Sequence, residues 1–132
     1  MINQNDKFTY KGDENKMHEV YRIIRRLGVT SKYKGYYFLA EAVKMCMEMQ
    51  EHPIRITKDI YPRLAKKFKS TPMNIEHDIR TIINVCWNTN RETLSDIAGF
   101  SLNYKPTNSE FVDMLAYYLL QVILTEDKKE AL

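Results

Sequence analysis

The sequence predicts an all-α protein: a six-helix, bundle-like domain that contains a helix-turn-helix. Three observations carry this. Apolar residues recur at the three- and four-residue spacing of an α-helix in segment after segment. Helix punctuation falls between those segments, at Gly28, at Thr71 with Pro72, at Gly99, and at the run from Thr107 to Glu110. The chain of 132 residues, 44% hydrophobic and 28% charged, has room for one domain with one core.

Residues 1–15 are polar and lack periodicity, which predicts a flexible arm with Phe8 and Tyr10 packing down. Asp6, Asp13 and Glu14 offset Lys7 and Lys11, which argues against a basic arm that enters a minor groove. The helical domain is predicted over residues 16–125. Its first helix, about Lys16–Leu27, has Met17, Val20, Tyr21, Ile24 and Leu27 as a buried stripe, with Gly28 as a left-handed cap. Arg22, Arg25 and Arg26 face outward. The second helix, about Ser31–Glu51, is apolar on nearly all sides and is expected at the centre, ended by His52–Pro53.

The third helix is expected to start near Thr57 or Asp59, with Pro62 tolerated only in a first turn or at a bend. A fourth runs from Pro72 to about Asn88, and a short fifth covers Glu92–Ile97, stopped by Gly99. The sixth opens at a capping box, Thr107 to Glu110, in which hydroxyl and carboxylate each satisfy one free amide. Its apolar residues exceed one face: Tyr117, Leu120 and Ile123 lie opposite Phe111, Leu115 and Tyr118. Residues 126–132 are predicted as a frayed tail.

The stretch Ile56–Asn88 organises the rest. Ile60, Leu64 and Phe68 make one stripe, and Ile75, Ile79, Ile82, Ile83 and Cys86 another. Between them Thr71 is a good N-cap, and Pro72 stands at the first helical position, where a missing N–H is no loss. Lys69 occupies the turn where such units often carry Gly, so it is expected to adopt a left-handed conformation at some cost. The outward face of the second helix shows Met73, Asn74, Glu76, His77, Arg80, Thr81 and Asn84, side chains that can reach base edges. Lys66, Lys67 and Lys69 cluster where phosphates would pass. From Arg55 to Arg80 there are seven basic and three acidic residues, a net of +4 against +3 for the whole chain. Two amphipathic helices with a solvated basic surface would give the same pattern.

Further residues narrow this. KGYYFLAEAV (Lys34–Val43), ITKDIYPRLAKKF (Ile56–Phe68), the Ile79–Arg80 and Val85–Trp87 neighbourhoods and KPTNSEF (Lys105–Phe111) occur in an order that resembles the C-terminal effector domain of the sporulation master response regulators, the stage-zero A family. The resemblance spans about Met17 to Tyr118. It implies an all-helical domain that binds short duplex DNA boxes as tandem copies or a homodimer, in which the last helix takes part. It also implies contact with RNA polymerase near the Phe100–Lys105 loop. The base-reading residues would be Asn74, Glu76, His77, Arg80 and Thr81, and the phosphate-holding ones Lys66, Lys67, Lys69, Ser70 and Thr71. Three departures are visible. Only a short arm precedes the effector unit, so it is expected to act without its own receiver domain. Asn74 and His77 stand where the family has Arg, and Thr81 where it has His, with Asp78 as an added acid. The Phe100–Lys105 loop is shorter.

Catalysis finds no support. His18, His52 and His77 lack metal-ligand spacing, and four glycines form no phosphate loop, so neither a metal nor a cofactor is expected. No membrane span or signal peptide is visible, and Cys46 and Cys86 sit in apolar surroundings as free thiols, consistent with the cytoplasm. The first functional expectation is a sequence-specific regulator of transcription that binds double-stranded DNA. The alternative is an interaction protein, a degenerate paralogue that pairs with a full-length regulator and modulates it.

Overall fold

The computed structural model describes the backbone of residues 4–49 and 54–131 and the side chains of residues 15–49 and 54–125. Among the described residues there are six α-helices and no strand: α1 (Gln4–Arg26), α2 (Gly35–Glu48), α3 (Tyr61–Lys67), α4 (Pro72–Thr89), α5 (Arg91–Ala98) and α6 (Asn108–Ala131). A single wide turn of π-helix, Ile56–Ile60, leads into α3.

The central position expected for the second helix is what the structure shows. α2 packs against α1, α3, α4 and α6, and it buries Tyr36, Leu39, Ala40, Ala42, Val43, Cys46 and Met47. One continuous core joins these to Val20, Ile24 and Leu27 of α1, Leu64 of α3, the isoleucines of α4, Leu94 of α5 and Phe111 and Leu115 of α6. Dispersion and burial along this shared core supply most of what holds the six helices together, with a few polar bonds between helices added to it.

Several boundaries differ from those the sequence suggests. The segment expected as an arm is helical from Gln4, so α1 is far longer than Lys16–Leu27. How Phe8 and Tyr10 pack, and the expected stop at His52–Pro53, lie outside the described side chains and residues. The second helix begins at Gly35, not Ser31: residues 31–34 form turns that let the chain reverse after Gly28. α6 continues to Ala131, through the expected tail. Pro62 sits in the first turn of α3, and the preceding π turn supplies the bend, with the Tyr61 N–H donating to the Ile56 carbonyl.

Local signals were reliable where they were strongest. Gly28 and Gly99 both take the left-handed conformation, φ 90° and 85°. In the capping box the Glu110 N–H donates to the Thr107 hydroxyl at 3.2 Å, and the Thr107 N–H donates to the Glu110 carboxylate at 3.1 Å. The Thr107 backbone bond holds the Glu110 carboxyl below the usual carboxylate range. The outward arginines of α1 are engaged: Arg22 pairs with Glu19, Arg25 donates to the Tyr36 hydroxyl at 3.1 Å, and Arg26 donates to the Tyr118 hydroxyl at 3.5 Å.

Candidate nucleic-acid interface

The turn between α3 and α4 is built by backbone chemistry. At the end of α3 the Phe68 N–H makes the last ordinary helical bond, to the Leu64 carbonyl, and the Ser70 N–H reaches back to the Ala65 carbonyl, the six-residue closure of a Schellman motif. That closure needs a left-handed residue just before Ser70, and Lys69 supplies it at φ 53° in place of glycine. Phe68 fixes the turn from below, its ring 5.1 Å from that of Phe38 in a T-shaped pair. Thr71 is then extended, its hydroxyl accepts from the Asn74 N–H at 3.1 Å, and Pro72 opens α4.

α4 turns its isoleucines inward: Ile75, Ile79, Ile82 and Ile83 are buried with Cys86. The opposite face is bare. Met73 is 79% exposed, Asn74, His77, Arg80 and Thr81 are exposed, and Glu76, Asp78 and Asn84 are half-buried. Glu76 and Arg80 form an ion pair one turn apart. The Thr81 hydroxyl donates to the His77 carbonyl at 3.1 Å. Trp87 packs on the core near the end of α4, with the Arg91 guanidinium 3.8 Å from its ring centre.

Lys66, Lys67 and Lys69 are exposed around the turn, Thr71 with them, and Ser70 is half-buried. Only Lys67 of the three has a carboxylate partner among the described residues: its ammonium lies 2.9 Å from Glu41 on α2. No sequence signal marks this pair, because Glu41 and Lys67 meet only when α2 and α3 pack.

Two contacts hold α4 at its height. Gly35, at the start of α2, lies under α4 so closely that a Cβ would stand 2.6 Å from the Asp78 carbonyl oxygen. On the other flank, the Asn108 side-chain amide donates to the Glu76 carbonyl at 3.0 Å and to the buried Tyr61 hydroxyl at 2.9 Å. Neither Gly35 nor Asn108 was singled out from the sequence for this role, although both fall in the segments that carry the family resemblance.

Cys46 and Cys86 are free and buried, as expected, and burial pushes their thiols up to about 11 and about 12. The excess apolar surface of α6 is narrower than expected. Tyr117 is 66% exposed, but Leu120 and Ile123 are partly buried against the core. Among the described residues no group of acidic, Cys or His side chains could hold a metal ion, and no helix is long and apolar enough to cross a membrane.

A helical domain that presents a capped, polar helix beside a cationic turn has the form of a DNA-binding effector domain. The family model described as the C-terminal part of the sporulation initiation factor Spo0A matches residues 20–119, and the chain belongs to that family. This is a family of DNA-binding sporulation regulators and not of enzymes.

Proposed function

We propose that the protein is a sequence-specific regulator of transcription that reads double-stranded DNA with α4. In this reading Glu76, His77 and Arg80 face base edges, with Asn74 and Thr81 assisting. Lys66, Lys67, Lys69, Ser70 and Thr71 hold phosphates. The observation that carries it is the face of α4 opposite its buried isoleucines, where Asn74, His77, Arg80 and Thr81 are exposed and Glu76 and Asn84 half-buried. An Arg guanidinium can bond guanine in a bidentate manner, and each such contact is worth about 1–3 kcal/mol of discrimination. The Glu76–Arg80 pair fits that role, because it fixes the guanidinium on the exposed side of α4, one turn from Glu76, before DNA arrives. With DNA as the partner, the site of action is the cytoplasm.

Selection of duplexes from a random pool by the purified protein, at two salt concentrations, tests this. Enrichment of one short box at both concentrations is expected. Retention of random duplexes at low salt alone would reduce α4 to a nonspecific surface.

A second reading is an interaction protein that modulates a full-length regulator. Its support is the exposure of Phe100, Tyr104 and Tyr117, which line one shallow groove of about 300 Å³ between the loop before α6 and α6 itself. The same surface is where a second copy on DNA, or RNA polymerase, would find an apolar foothold. Co-purification of a full-length regulator, with no enrichment of any duplex, would favour this reading over the first.

A further inference from the structure

We infer that Lys105, outside the helix-turn-helix, is a second DNA-backbone contact that grips the phosphates on the flank of α4 away from Gly35. The inference rests on the DNA-binding reading of α4 and adds a contact that the helix-turn-helix pattern does not supply.

The Lys105 ammonium lies 2.5 Å from the side-chain oxygen of Asn84, so it stands on the bare face of α4, two turns beyond Glu76. Lys105 is exposed, and among the described residues it has no carboxylate partner. A neutral amide is a weak holder for an ammonium, and a phosphate would displace it readily. The backbone that carries Lys105 is fixed. Pro106 is buried, Thr107 and Glu110 close the capping box, and Asn108 bonds both Tyr61 and Glu76. Lys105 therefore keeps a set position relative to the recognition helix, with only its own side chain free to move.

Beside it lies an open depression of about 480 Å³, lined by Thr57, Arg80, Lys105, Thr107 and Ser109 among others. The lining carries two cations and several hydroxyl groups, the chemistry that phosphate oxygens meet at a DNA backbone, together with the Glu76 carboxylate, which is paired with Arg80. The lysines of the turn lie at the start of α4, and Asn84 lies in its fourth turn. Cations at both places would straddle the groove that α4 enters.

The test uses the full chain and a duplex carrying its selected box, titrated over a range of salt concentrations. Lys105→Ala should weaken binding about fivefold at low salt and reduce the slope of log K against log salt by about 0.9, the release of one phosphate's counterions. Site preference should be unchanged. Lys105→Arg should keep the wild-type slope. Asn84→Ala, which removes the resting partner but not the cation, should also keep it. A Lys105→Ala slope equal to wild type overturns the proposal, as does loss of slope in Asn84→Ala, which would make the contact structural. If the unaltered chain binds no duplex, the DNA-binding reading itself fails, and that result is separate from a wild type that binds with Lys105 idle.

Discussion

The α-carbon of Gly35 sits directly beneath the backbone of Asp78: a Cβ built there would meet the Asp78 carbonyl oxygen at 2.6 Å and the Ile82 Cδ1 at 2.7 Å. The first obstacle is main chain and cannot rotate away. Gly35→Ala should therefore destabilise the fold by about 1–3 kcal/mol, although alanine is the better helix former. Denaturant unfolding measures this. Because α4 must lift to make room, binding to the selected duplex should fall more than stability alone explains. A variant of wild-type stability would show that α2 and α4 can part without strain.

Lys69 couples stability to binding. Its left-handed backbone costs about 1–2 kcal/mol, and glycine would relieve this while losing part of the gain to the freedom of the unfolded chain. Lys69→Gly should thus raise stability by about 0.5 kcal/mol net. It should also weaken duplex binding and lower its salt dependence, since one cation is removed. Thermal unfolding and a salt titration on the same sample separate the two effects.

Arg80 and Lys67 should fail in different ways. Arg80→Ala removes the guanidinium proposed to read a base and frees Glu76, so preference for the selected box should drop by about 1–3 kcal/mol relative to random DNA. Lys67→Ala should weaken binding to all duplexes alike. Its effect should be smaller than that of Lys66→Ala, because Lys67 is already engaged by Glu41 at 2.9 Å. Competition binding with matched and scrambled duplexes distinguishes these outcomes. An unchanged preference in Arg80→Ala would remove base reading from that side chain.

The two thiols give a pH prediction. Their ordinary value is 9.0, and burial raises Cys46 to about 11 and Cys86 to about 12 in the folded chain. Below about pH 9 both states keep the proton and stability is unaffected. Between pH 9 and about 12 the unfolded chain releases protons that the fold retains, so stability falls as pH rises. At pH 8 neither thiol should react with a thiol reagent until denaturant is added. Rapid labelling of the native protein would mean that α2 or α4 opens locally.

What could be read in advance was local. Thr71 and Pro72 announced the start of α4, Gly28 and Gly99 their caps, and Thr107 with Glu110 the start of α6, because each signal involves residues within one helical turn. The left-handed Lys69 followed from the same reasoning. The π turn at Ile56–Ile60 did not, since apolar spacing does not separate a wide turn from an ordinary one. The length of α1 was missed because its first residues, from Gln4, carry no apolar stripe. At the site, the bare face of α4 was legible from its periodicity. Its supports were not: Glu41 with Lys67, Asn84 with Lys105 and Glu76 with Asn108 are separated by 26, 21 and 32 positions, and only packing brings them together.

Asn108 has a mechanical consequence. One side chain ties the root of the last helix to Tyr61 on one neighbour and to Glu76 on another, so three rods share a single rivet. A shift at the root of that last rod would therefore be felt at Glu76, on the edge of α4 proposed to meet the duplex.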